Sequence, residues 1–258
     1  SKFIYRKMKN IVITSAKRTP IGKFMGGFGS LSASELGALV LEEIIKDSEL
    51  TKDQIDEVIL GQVLTGGSGQ NPARQTSCLT NIPDSKSALT VNQVCGSGLR
   101  AISLGAQSIM TGQSDIVLAG GQESMSNAHH TANLRNGIKM GDSQMKDSMI
   151  IDGLWCAMND YHMGITAENV AEKYKIDKDQ QDQFAANSQI KAEKAQKEEN
   201  ISFGWFVSKD CALNISGETW RTTTCKYKWK NANGYNIMER FESEFQNDFE
   251  DINSHPRM

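Results

Sequence analysis

The sequence contains no apolar run near the roughly 20 residues that span a bilayer, so a helical membrane span is excluded by pattern. Its five cysteines (Cys78, Cys95, Cys156, Cys211 and Cys225) include no CxxC pair and no Cys/His cluster at zinc spacing. An odd, irregularly spaced set argues against a disulfide scaffold and fits a reducing, cytoplasmic compartment. Lysine and arginine are dispersed and the net charge is −3, so no nucleic-acid footprint stands out. Neither a low-complexity tract nor an internal repeat occurs. The start, SKFIYRKMKN, is positively charged but is followed by no apolar stretch of signal-peptide length. Without such a signal, the Asn-x-Ser sequons at Asn200 and Asn214 read as chance.

With 258 residues and 38% apolar content, the chain is long and apolar enough to bury a core. Residues 1–7 read as an extension, because Met8 opens a better start. From there to residue 124, short apolar runs alternate with helical patterns. NIVITSA, from Asn10, predicts a buried strand. Ser34 to Asp47 predicts a helix with Ser34 as N-cap and Leu36, Leu39, Val40 and Ile44 on one face. EVILGQVL, ALTVNQV and DIVLAGGQ predict further strands. Between them lie a helix opening at Pro72 and one over GSGLRAISLGAQSIMTG. Such alternation predicts parallel strands with helical crossovers, hence a layered α/β fold with apolar strands covered on both faces.

The texture then shifts twice. Residues 125–163 are rich in Met, Gly, Asn and His and keep no period, which predicts a long excursion from the sheet. Thr166 to Tyr174 and Asp179 to Glu199 carry helical signals. The second, capped by Asp177 or Asp179, has Phe184, Ala185, Ile190 and Ala192 as its few apolar contacts and KAEKAQKEE as a solvated face. From Asn200 to Met258 the chain is aperiodic and holds Trp205, Trp220 and Trp229, with a weak amphipathic stretch at Ile237, Met238, Phe241 and Phe245.

One segment carries chemistry. VNQVCGSGLRA places Cys95 where a strand gives way to a helix. A helix N-terminus bears about half a positive elementary charge and favours an anion there. Gly96 and Gly98 remove side-chain bulk, so a substrate carbonyl can approach the sulfur and the backbone N–H groups can bind a developing oxyanion. A strand-to-helix elbow is a recurrent holder of nucleophiles. On the local pattern alone, an inert buried cysteine at a glycine-rich turn fits equally well.

This segment resembles the nucleophile motif of the thiolase family, and the similarity extends from Met8 to about Glu199. NIVITSAKRTPIGKFMGGF resembles the family's first strand and loop. GQVLTGGSGQNPARQ is similar to its second-strand end and dimer-interface segment. LAGGQESMSNAH, RNGIKMGDSQMKDSMIIDGL, YHMGITAENVAEKY and DQQDQFAANSQIKAEKAQ look like the path into and through its loop domain. CGSGLRA and YHMG favour the biosynthetic, acetoacetyl-CoA-forming branch over the 3-ketoacyl-CoA thiolases. The resemblance implies a layered αβα N-terminal domain over 8–124 and an inserted loop domain over 125–199. It implies Cys95 as the residue that takes an acetyl group from acetyl-CoA before a second acetyl-CoA attacks. Leu154, His162 and Met163 match positions that line the CoA tunnel; read alone, His162 also fits a surface histidine and Met163 a core filler. His129 and His130 read as solvent or tetramer contacts, and Cys156 as packing. No metal or bound cofactor is implied. The partners implied are CoA thioesters and, through 61–75 and 127–149, further copies of the chain as a homodimer or homotetramer.

The family's C-terminal motifs are absent: GHP, CxGGG and NEAFA do not occur, and His255 in NSHPRM lacks the context of the first. The expectation is therefore a chain without the C-terminal thiolase domain, with 200–258 as a frameshifted or disordered tail. A genuine alternative domain there is the competing reading. Function has the same branches: an acetyl-CoA C-acetyltransferase by resemblance, or a catalytically incompetent fragment that binds CoA or other subunits.

Overall fold

A computed structural model describes residues 11–197 and the short segments 214–216 and 219–221. The extension 1–7 and, apart from those two segments, the 200–258 tail, including Asn200, His255 and the 237–245 stretch, lie outside the described residues. Contacts divide the chain into one unit of Ser1–Arg18 and Gly29–Trp155 and another of Thr19–Phe28 and Cys156–Met258.

In the first unit, helix α1 (Ala33–Asp47) precedes strand β1 (Glu57–Gly61). Helix α2 (Pro72–Leu79), strand β2 (Ser87–Val91), helix α3 (Ser97–Thr111) and strand β3 (Val117–Gly121) follow. The strands pair in parallel in the order β2-β1-β3, so the α3 crossover passes over β1. Register explains the layers, since alternate residues point to opposite faces. On one face, Glu57 and Ile59 lie beside Val117 and Ala119. A Cβ placed on Gly105 would sit 3.1 Å from Val117 and 3.4 Å from Ala119, so α3 covers that side. On the other face Val58, Leu60 and Leu118 join Leu41 and Ile45 of α1, Ala73 of α2, Ile55 and Ile82 in one core. Ile55, Val58, Ile59 and Ile82 are fully buried, each contributing about 1.5–3 kcal/mol. The layered αβα fold follows directly from this alternation.

Several local expectations need correction. The cap of α1 is Ser32, not Ser34: Glu35 N donates to Ser32 Oγ at 3.2 Å, and Ser32 N donates to the Glu35 carboxylate at 2.8 Å. Ser34 is buried and donates to Pro72 O at 3.1 Å. The buried stripe of α1 accordingly runs through Ser34, Ala38, Leu41 and Ile45; of the expected face Leu39 is buried, while Leu36, Val40 and Ile44 are only partly covered. Residues 11–16 form no strand. Val12 and Ile13 are 73% and 77% exposed, because strand preference is realised only through a pairing partner, and none of the described strands pairs with this segment. In this sheet β1 is buried throughout, and β2 and β3 are edges with partly exposed faces.

At the amino end of the sheet, Asp56 accepts the Asp115 and Ile116 N–H groups at 2.8 and 3.1 Å, with Lys86 at 3.6 Å. These backbone donors, aided by Lys86, hold its carboxyl below the ordinary aspartate value. A lowered folded-state value contributes stability above the unfolded value that is lost as pH falls through the folded one. Urea titrations of Asp56→Asn should therefore show a smaller loss of stability below about pH 4 than the parent shows. An unchanged acid slope would refute this assignment.

Beyond β3 the excursion holds two short paired strands, β4 (His130–Thr131) and β5 (Lys146–Asp147), and a wide helical turn over Met149–Leu154. Strands β6 (Trp155–Cys156) and β7 (Tyr161–His162) precede α4 (Met163–Tyr174) and α5 (Lys178–Lys197). Asp177 caps α5, accepting Gln180 N at 2.8 Å while its own N–H donates to Gln180 Oε1 at 3.0 Å. Phe184 and Ile190, expected as contacts of α5, are 79% and 59% exposed. In the tail, β8 (Asn214–Ser216) and β9 (Thr219–Arg221) form an antiparallel ladder that the aperiodic pattern did not signal. No helix among the described residues is long and apolar enough to cross a membrane.

Candidate active site

The carboxyl ends of all three parallel strands lie together, the end at which layered α/β folds collect their ligands. Gln62 N donates to Val91 O at 3.0 Å and Gln122 N donates to Gly61 O at 2.9 Å, so the strand ends are held in register. Cys95 stands four residues past β2 and is exposed, immediately before the Gly96 that caps α3. It is therefore not a buried cysteine. The first turn of α3 is seated on glycine: a Cβ on Gly61 would fall 2.4 Å from the Ser97 carbonyl carbon and 2.6 Å from Gly98 N. Gly121 lies across from Gly98, where a Cβ would meet Gly98 Cα at 3.2 Å. The sulfur is thus presented by a helix start pressed onto the sheet.

Within the elbow, Gly96 N donates to Gln93 O and Ser97 N to Val94 O, both at 3.1 Å. The Gly96 N–H consequently points into the turn. Among the described residues, no group hydrogen-bonds the Cys95 thiol. Beside the elbow, Glu123 accepts Val63 N at 2.8 Å and Leu64 N at 3.3 Å, tying the ends of β3 and β1. Burial pushes its carboxyl above the ordinary value, against the opposing pull of those N–H groups.

The other predicted residues fall in two places. Leu154, half-buried, ends the turn over Met149–Leu154 in the first unit, where its neighbour Gly153 lies beside Leu64. His162 and Met163 belong to the second unit. His162 caps α4, its Nδ1 accepting Gly164 N at 3.0 Å, which leaves Nε2 for an outside partner. Met163 lines an open groove of about 440 Å³ with Thr166, Ala167, Val170, Ala171 and Ile176. Cys156 is half-buried, and Asn159 Nδ2 donates to its sulfur at 3.2 Å. That contact, with backbone N–H groups from Asn159 and Met158, holds its thiol below the ordinary range.

Residues 11–203 match the family described as thiolase, N-terminal domain. The chain belongs to the thiolase family. An acetyl-CoA acetyltransferase of Allochromatium vinosum is 57% identical over 190 residues, covering 73% of this chain and 48% of the relative. One from Paracoccus denitrificans is 55% identical, covering 74% and 49%. The Acat5 thiolase of Ascaris suum, solved in complex with coenzyme A, superposes with a TM-score of 0.68. It is 43% identical, over 71% of this chain and 48% of that one. The thiolase chain therefore spans about half the length of the curated relatives it matches.

Four features of this thiolase site depend on contacts between its elements. Gly61, within the strand pattern EVILGQVL and first in the 61–75 segment, seats the start of α3. Asn92 and Ser97 hydrogen-bond the Val94 backbone beside the nucleophile, and Glu123 accepts the Val63 and Leu64 N–H groups. An Asn two residues before a turn residue is a local signal for the first of these. The others depend on which strand ends meet.

Proposed function

We propose that this chain carries the nucleophile of an acetyl-CoA acetyltransferase. Cys95 Sγ attacks the acetyl-CoA carbonyl, the C–S bond to CoA breaks, and the acetyl group rests on Cys95 as a thioester while CoA leaves with a proton. A second acetyl-CoA, deprotonated at its methyl carbon, attacks that thioester; acetoacetyl-CoA forms and the Cys95 sulfur is released. The observation that carries this reading is an exposed cysteine at the start of α3, at the carboxyl ends of a parallel sheet, in a chain of this family. Gly98 keeps the approach to the sulfur free of side chain, with Gly96 beside it. Toward CoA, the second unit offers the apolar Met163 and the His162 Nε2 as a polar contact, and the first unit separately offers the apolar Leu154. CoA thioesters are the substrates, and no resident cofactor takes part.

The chemistry also needs a base for the thiol and another for the methyl proton, and no described group hydrogen-bonds Cys95. This favours a chain that accepts an acetyl group slowly and does not turn over alone. Incubation with acetyl-CoA followed by peptide mass spectrometry is expected to find slow acetylation confined to Cys95, absent in Cys95→Ser, with no acetoacetyl-CoA. Acetoacetyl-CoA formation that survives Cys95→Ser would refute the assignment.

Self-association is part of the same reading. The loop over 127–149 exposes Leu134, Ile138, Met140 and Met145, at 50%, 51%, 92% and 66%. Four exposed large apolar side chains in one loop support a contact with another copy of the chain. Sedimentation is expected to give a dimer or tetramer, weakened when Met140 and Ile138 are both changed to Ser.

A further inference from the structure

Val94, the residue before the nucleophile, has a φ of 49°. A β-branched side chain in the left-handed region is a true outlier, and such backbone persists only where its surroundings over-determine it. Here both backbone polar groups of Val94 are held by side chains. Its N–H donates to Asn92 Oδ1 at 2.9 Å, and its carbonyl accepts the Ser97 hydroxyl at 2.6 Å. The same hydroxyl oxygen accepts Gln93 N at 2.8 Å, so the rotor is fixed from both sides. Ser97 is 4% exposed and its Cβ lies over Gly61, which leaves it nowhere to swing. Asn92 Nδ2 reaches Val63 O at 3.4 Å, joining the elbow to the segment that Glu123 ties to β3.

We propose that Asn92 and Ser97 are positioning residues that clamp Val94 in its left-handed conformation and so hold the Cys95 sulfur at the mouth of α3. The proposal rests on the reading of Cys95 as the nucleophile. A plain helix-capping role for Ser97 would affect stability but not the presentation of Cys95. Released from the clamp, Val94 relaxes toward negative φ, and the sulfur turns away from the helix start that favours its attacking anion.

The test uses the 258-residue chain and iodoacetamide, with alkylation read peptide by peptide. Cys78, exposed and remote from the elbow in sequence, serves as internal reference. In Asn92→Ala and in Ser97→Ala the ratio of Cys95 to Cys78 alkylation is expected to fall on the order of tenfold. Glycine adopts positive φ without steric cost, so adding Val94→Gly to either variant is expected to restore most of the ratio. A ratio unchanged in both folded single variants would overturn the clamp, as would a Val94→Gly background that restores nothing. Should Ser97→Ala fail to fold, Asn92→Ala decides, because Asn92 is exposed. Alkylation needs no acetyl-CoA. A chain that shows the fall but never acetylates Cys95 would refute the acetyltransferase reading and leave the clamp standing.

Discussion

Gly61→Ala is expected to destabilise the chain by about 3 kcal/mol or more and to suppress alkylation of Cys95 at the same time. The reason is where the new methyl group would go. It would enter 2.4 Å from the Ser97 carbonyl carbon, 2.6 Å from Gly98 N and 2.6 Å from Ser97 Cβ. Two of those atoms are backbone in the first turn of α3, and backbone cannot yield as the tip of a flexible side chain can. Either α3 lifts from β1 or β1 shifts out of register with β2 and β3. Lifting α3 uncovers Ala101, which is fully buried, and breaks the seat of Ser97, so stability and the elbow fail together. Gly98→Ala is the control. Its Cβ would meet Gly121 no closer than 3.6 Å, an ordinary contact, and within a helix alanine is favoured over glycine by up to about 1 kcal/mol. Urea unfolding monitored by circular dichroism should separate the two variants clearly. Equal stabilities would show that the seat of α3 on Gly61 is not tight.

The contrast shows what the sequence made legible. Alternating apolar runs and helical stretches were enough for β1, α2, α3 and β3, because burial against neighbours leaves a periodic trace in the residues themselves. Cys95 was legible for a related reason: its chemistry and the two glycines beside it are local. The seat of α3 was not, since Gly61 and Gly98 are distant in sequence and meet only once β1 and β2 have paired. The same cause hid the stripe of α1. Its orientation is set by Pro72 and Gln122 arriving from elsewhere, and the rotation from Leu36 and Val40 to Ser34 and Ala38 follows from that. Residues 11–16 failed in the opposite sense. Their β-branched side chains carry a strand pattern, but a ladder needs a partner, and single-segment patterns cannot report one.

Gln122→Leu is expected to cost about 2–3 kcal/mol, and the double variant Gln62→Leu/Gln122→Leu less than the two single losses added together. Gln122 is 8% exposed and Gln62 2%, and each amide has few alternatives. Gln122 Nε2 donates to Gln62 Oε1 at 2.9 Å, Gln122 Oε1 accepts the Thr76 hydroxyl at 2.7 Å, and Gln62 Nε2 donates to Leu64 O at 3.1 Å. Removing Gln122 strands the buried Gln62 carbonyl oxygen, and an orphaned buried acceptor costs its full desolvation. Thr76 suffers less, because its hydroxyl can still donate to Pro72 O at 3.0 Å. Replacing both glutamines removes donor and acceptor together. The double variant should therefore recover part of the loss, with a coupling on the order of 1 kcal/mol in a double-mutant cycle. Strict additivity would mean that the two amides do not depend on each other. The network lies on the α1 and α2 side of the sheet, opposite α3, so Cys95 alkylation in the same variants should hardly change. A parallel loss of Cys95 reactivity would instead make these amides part of the support of the nucleophile.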